Sequence, residues 1–182
     1  QGLGAFSYQW LRNGSDIAGA TNPSYTLGDA DVGQSIQVRV SYTDGAGNPE
    51  VLTSAGTPPI ANVNDTPSAT ITLGSTTPTA NSSLSAQLNS LHDPDGLPDP
   101  GTYQWQWQSA AWATNTINPV WSNITGASGS GDTPPALNVT QTLAGRLLRV
   151  VLSYTDAHGT QESVPSAWTS PVSSGAGSTL SG

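Results

Sequence analysis

The 182-residue chain contains no cysteine and no lysine. Without cysteine it has neither a disulfide framework nor thiol chemistry. Its cations are Arg12, Arg39, Arg146 and Arg149, set against 12 acidic residues, and the formal net charge is −8. Binding to a phosphate backbone needs a basic face, so nucleic acid is an unsuitable partner. An acidic chain stays soluble and attracts cations. No apolar run is long enough to span a bilayer, and no stretch reads as a signal peptide. Extended helical periodicity is missing too, while 20 Gly and 14 Pro cut the chain into short segments. Strand-forming residues between such breaks argue for an all-β fold. The Thr/Ser/Asn/Gly-rich, lysine-free composition suits an exported protein.

What the chain does have is a repeat. Residues 35–44 read Ser-Ile-Gln-Val-Arg-Val-Ser-Tyr-Thr-Asp, and residues 147–156 read Leu-Leu-Arg-Val-Val-Leu-Ser-Tyr-Thr-Asp. Ile36, Val38 and Val40 point one way along the first, as do Leu148, Val150 and Leu152 along the second, which is the period of a half-buried strand. Asp44 and Asp156 lie 112 residues apart, and the same offset relates Leu27 to Val139, Gly33 to Gly145, Glu50 to Glu162, Ser54-Ala55 to Ser166-Ala167 and Pro59 to Pro171. Such self-similarity implies a tandem of one β-module.

Further pairings extend the repeat. Phe6-Ser7-Tyr8-Gln9-Trp10 alternates and answers to Tyr103-Gln104-Trp105; Ile17-Ala18-Gly19-Ala20 answers to Ile124-Thr125-Gly126-Ala127; Ser24–Leu27 answers to Ala136–Val139. The second copy is longer, with insertions after its Trp105 strand and after Ala127. Strands are expected near residues 50–55, 69–73 and 84–88, joined by Gly/Pro/Asn/Asp turns, which makes an antiparallel sandwich. The boundaries follow: a first repeat over 1–61, a linker over 62–67, a second repeat over 68–172, and a Gly/Ser tail of flexible composition over 173–182.

No catalytic set emerges, and the chain reads as a non-enzyme. The two histidines, His92 and His158, fall in turns and read as solvated. Asp93-Pro94-Asp95 pairs two carboxylates as hydrolases do, but it is flanked by prolines with no cleft implied. Together with Asp65 it suits Ca²⁺, which collects hard oxygens; plain turn formation is the alternative. For Asp29 and Asp31 the turn reading is preferred, because the second copy lacks acids there. Trp10 and Trp105 pair as core anchors. Trp107, Trp112, Trp121 and Trp168 belong to copy two alone, and either contact a protein or glycan partner or form a satellite cluster beneath the longer loops.

At Tyr8-Gln9-Trp10-Leu11-Arg12-Asn13-Gly14, Ile17-Ala18-Gly19-Ala20-Thr21 and Asp31-Val32-Gly33 the chain resembles bacterial immunoglobulin-like repeats of very large surface adhesins. The resemblance covers most of copy one and, with insertions, copy two. It implies two tandem immunoglobulin-like sandwiches in an extracellular, non-enzymatic protein, touching neighbouring repeats or other subunits. Asn62-Val63-Asn64-Asp65-Thr66-Pro67 also looks like a cadherin linker, Asp-x-Asn-Asp-Asn followed by proline, with Asn62 and Thr66 departing from it. That likeness implies a calcium site built from Asn64, Asp65, Asp93, Asp95 and Asp156, and the departures imply fewer ions or looser binding. Tyrosine is missing two residues after Gly33, where Ser35 stands.

Copy one has only residues 1–5 ahead of its Phe6 strand, whereas copy two has 66–102 ahead of Tyr103. The first repeat is therefore expected to lack its N-terminal strands and to show an open edge. Those strands are expected from further N-terminal sequence, or else from a neighbouring molecule.

Overall fold

The computed structural model describes residues 2–114 and 117–175. It is nearly all β, with antiparallel sheets in two compact units, Gln1–Asn64 and Asp65–Gly182. Of the 173–182 tail, Ser173 is bonded on both sides, to Pro78 and Ala80; residues 176–182 lie outside the described residues.

The first unit is one sheet with the order β2-β1-β3-β4, formed by β1 (Ser7–Arg12), β2 (Ser15–Asp16), β3 (Ile36–Thr43) and β4 (Pro49–Thr53). Asn13-Gly14 joins β1 to β2 with both residues at positive φ, 46° and 80°. This is the two-residue hairpin that an Asn-Gly pair favours. In the β1–β3 ladder Tyr8 faces Val40, Trp10 faces Val38 and Arg12 faces Ile36. Ile36 is buried at 3% exposure, but Val38, Val40 and Trp10 are only half-buried and Phe6 is 49% exposed. Trp10 stacks on Tyr25 at 5.8 Å between ring centroids. Ser24–Leu27, the match of Ala136–Val139 in the second copy, makes no ladder.

The second unit is a sandwich. A four-stranded sheet, β12-β11-β8-β9, comprises β8 (Gln104–Ala111), β9 (Trp121–Ser130), β11 (Arg146–Thr155) and β12 (Gln161–Pro165). Two smaller ladders complete it: β5 (Ser68–Leu73) with β7 (Ala86–His92), and β6 (Ser82–Leu84) with β10 (Leu137–Val139). The single strand expected at 84–88 is thus two. The chain changes ladder at Ser85, whose carbonyl accepts from Gly74 N–H at 2.8 Å, because Leu84 pairs with Leu137 while Ala86 pairs with Leu73. Side chains from all these ladders share one core: Ile71, Leu84, Trp105, Trp107, Leu148, Val150 and Leu152 among them.

Hydrogen bonds recur at the 112-residue offset. Ser54 Oγ accepts from Val38 N–H at 3.0 Å, and Ser166 Oγ from Val150 N–H at 3.1 Å. Thr57 Oγ1 accepts from Ile36 N–H at 3.0 Å, and Thr169 Oγ1 from Leu148 N–H at 3.1 Å. Gly33 and Gly145 donate to Ile60 and Val172, each at 2.8 Å.

Cross-strand register corrects the expected tryptophan pairing. Val150 is the counterpart of Val38, and it faces Trp107, as Val38 faces Trp10. Side-chain bonds agree: Gln9 Nε2 donates to the carbonyls of Trp10 and Ile17, and Gln106 Nε2 to those of Trp107 and Ile124. Trp107 is therefore the repeat's own tryptophan, and Trp105 corresponds to Tyr8. The sequence match of one Tyr-Gln-Trp to the other slipped by two residues. A period of two hides such a slip, since it keeps every side chain on its own face.

Candidate functional site

The most unusual polar geometry lies at one end of the second unit, where the turn after β7 meets the turn after β11. Asp93, Asp95 and Asp156 are 6%, 2% and 5% exposed. Asp93 is fully engaged. Its Oδ1 accepts from Asp95 N–H at 3.0 Å and its Oδ2 from the Tyr154 hydroxyl at 2.7 Å. Burial pushes the Tyr154 phenol far above its ordinary pKa, and the Asp93 carboxylate pushes it further, so it remains a donor. Gly96 closes the first turn at φ 92°, where a Cβ would stand 2.9 Å from that of Ala157. Gly96 also accepts from Ala157 N–H at 3.1 Å, which locks the two turns together.

Asp95 and Asp156 each use one oxygen. Asp95 Oδ2 accepts from Asp65 N–H at 2.6 Å. Asp156 Oδ1 accepts from His158 and Thr160 N–H, both at 2.8 Å. Burial pushes the Asp156 carboxyl up, yet the Thr160 and His158 N–H groups outweigh it and hold the group below the ordinary carboxylate range. The other oxygens, Asp95 Oδ1 and Asp156 Oδ2, are buried with no hydrogen-bond partner. Buried carboxylate oxygens without donors are costly. Hard cations take such oxygens, and calcium also accepts the carbonyls that tight turns expose. Among the described residues, however, no group of three or more acidic or imidazole side chains is placed to hold a metal ion.

Of the residues expected at a calcium site, Asp93 and Asp95 lie in one of the two linked turns and Asp156 in the other, without forming a metal-holding group of side chains. Asp65 enters through its N–H. Asp93 has both oxygens committed, so it orients the turn. Asn64 ends the first unit. Tyr154, within the repeated Ser-Tyr-Thr-Asp, and Thr160 each add a donor to this cluster, a role the sequence does not announce. His92 closes β7 instead of lying in a turn, and both histidines are exposed. Asp31 does more than turn the chain. It is fully buried, accepts from Arg12 Nε at 2.8 Å, Tyr25 Oη at 3.0 Å and Gly28 N–H at 2.9 Å, and pins the turn to β1.

The copy-two tryptophans divide. Trp107 is fully buried, donating from Nε1 to Pro135 O at 2.7 Å, so it cannot meet a partner. Trp112 and Trp168 are each 48% exposed and line a cavity of about 320 Å³ with Leu147 and Ser170. Trp121 lies 6.1 Å from Trp168 between ring centroids, and the Arg149 guanidinium stands 4.3 Å over the Trp121 ring.

A scan against protein-family models finds none that matches this chain, and a comparison with curated proteins returns no match.

Proposed function

We propose that this chain is a pair of immunoglobulin-like repeats from a large extracellular bacterial surface protein, structural or adhesive in role, in which calcium fastens the linker to the second repeat. The observation that carries this reading is the pair of partnerless buried oxygens, Asp95 Oδ1 and Asp156 Oδ2. Asp95 and Asp156 would supply carboxylate ligands, with Asp93 and Tyr154 holding the turn in place. A bound ion would neutralise two clustered carboxylates and tighten the grip of Asp95 on Asp65 N–H, where the linker enters. Support for the repeat reading comes from the hydrogen bonds that recur at the 112-residue offset.

Thermal unfolding of the whole chain with calcium and with chelator tests this. An ion that binds only the folded state, at a hundred times its dissociation constant, adds about 2.7 kcal/mol. The expected result is a rise of several degrees in the second unit's midpoint, lost in Asp95→Ala, with slower proteolysis at residues 62–67. Equal midpoints in calcium and chelator, together with no binding heat, would refute the calcium reading.

A further inference from the structure

The outer face of the β12-β11-β8-β9 sheet carries chemistry that the calcium reading leaves unused, at the opposite end of β11 from Asp156. Residues alternating onto this face there include Gln106, Gln108, Leu147, Arg149 and Val151, with no carboxylate among them. In a chain of net charge −8, that is a face from which acid has been kept away. Its one cation is held in a fixed position. Arg149 Nε donates to Gln108 Oε1 at 2.8 Å, Gln108 Nε2 donates to Asn123 Oδ1 at 2.9 Å, and the guanidinium lies over Trp121. Among the described residues the ion pairs are Arg12–Asp31 and Arg39–Asp16, and Arg149 belongs to neither.

Two residues along β11 from Arg149, Leu147 is buried at 1% exposure and floors the cavity that Trp112 and Trp168 wall. About 320 Å³ is at the small end of ligand sites. Half-exposed indoles around such a cavity, with Thr76 and Ser170 also in its lining, suit a ring that has one apolar face and hydroxyls on its edge. The fixed, partly desolvated guanidinium suits a carboxylate. We propose that this face binds a saccharide bearing a carboxylate, with Trp112 and Trp168 stacking on the sugar and Arg149 pairing with the acid. The inference does not rest on the calcium reading. Ile117 and Val120, 83% and 85% exposed and lying between β8 and β9 in sequence, are the features that favour a protein partner instead, and the test separates the two.

The whole chain is titrated, with tryptophan fluorescence and calorimetry as readouts, against four acidic probes: oligogalacturonate, oligomannuronate, a hyaluronan oligosaccharide and sialyllactose. Cellohexaose and a Leu/Glu-rich peptide serve as the neutral and peptidic comparisons. At least one acidic saccharide is expected to bind, more weakly as salt rises. Trp168→Ala and Arg149→Gln should each weaken it about tenfold. Arg149→Gln should leave cellohexaose unaffected and the thermal midpoint nearly unchanged, which separates lost binding from lost folding. If cellohexaose binds as well as the acids and Arg149→Gln has no effect, the carboxylate assignment is wrong. If only the peptide binds, the surface docks protein. If no acidic saccharide binds at millimolar concentration, the proposal fails.

Discussion

Ile36 and Leu148 occupy equivalent places in the two units, and both are buried; two residues further on, Val38 is half-exposed and Val150 is not exposed at all. The divergence continues across the ladder. Trp107 is sealed and Trp10 is half-open; Tyr103 is 4% exposed and its counterpart Phe6 is 49%. The strands alternate in the same way and share their register, so alternation alone does not make a core. The second unit covers its sheet with β5, β6 and β7. It also pairs Leu137–Val139 with β6, whereas Tyr25 and Leu27, the matching positions, have no strand opposite them. The first unit compensates locally: where the second has Ser109, Leu143 and Leu137, it has Arg12, Asp31 and Tyr25, with the partly exposed Arg12 and Tyr25 bonded to the buried Asp31 carboxylate.

The sharpest way to test this comparison is to truncate the two equivalent tryptophans. Trp107→Ala should cost the second unit about 3–5 kcal/mol, as deletion of a buried indole does. Trp10→Ala should cost the first unit well under that, because its ring is already half in water. Urea unfolding followed by resonances of each unit measures both, and equal losses would mean that the first unit's face is covered in solution.

Next in size is the response to calcium, expected from Asp156 and not from Asp44. The two turns match, but Asp44 has donors on both oxygens: Ala46 and Asn48 N–H on Oδ1, and Asn48 Nδ2 on Oδ2. Asn48 is Thr160 in the second copy, and Asp156 Oδ2 loses its cap. Calcium should shift the second unit's midpoint by several degrees and leave the first unit's unmoved.

Asp31→Asn should destabilise the first unit by about 1–3 kcal/mol, since buried donors lose their charged acceptor. The effect depends on pH. Burial pushes the Asp31 carboxyl up, but Gly28 N–H, Arg12 and Tyr25 prevail and hold it below its ordinary value of 3.8. A lowered folded-state pKa gives stability that is complete above the ordinary value and lost as pH falls through the folded one. The wild-type first unit should therefore weaken below about pH 4, and the Asn variant should lack that component of the acid limb. Parallel melting curves across this range check it.

The smallest effect expected is that of Thr160→Asn, which copies the first unit's turn into the second. Its amide should cap Asp156 Oδ2, raise the calcium-free midpoint slightly and blunt the response to calcium. An unchanged calcium shift would show that Oδ2 takes no part.

The acidic cluster was legible because Asp-x-Asp and Tyr-Thr-Asp are short local patterns. The roles within it were not. Nothing in the sequence says that Asp93 spends both oxygens on Asp95 and Tyr154, or that Asp65 contributes its N–H. Arg149 over Trp121 carries no signature at all, because the contact joins β11 to β9 across the sheet.

By itself the sequence determined the all-β class, the repeat and its offset, and which residues of Ile36–Val40 and Leu148–Leu152 face inward. Each of these depends on local periodicity and on turn residues such as Asn13-Gly14, whose backbone preferences act over a few bonds. Tertiary structure alone decided that Trp107 and not Trp105 is the repeated tryptophan, that residues 82–92 serve two ladders, and which carboxylate oxygens are left without donors. Those outcomes depend on ladder register and on burial by distant segments, which local alternation with a period of two does not encode.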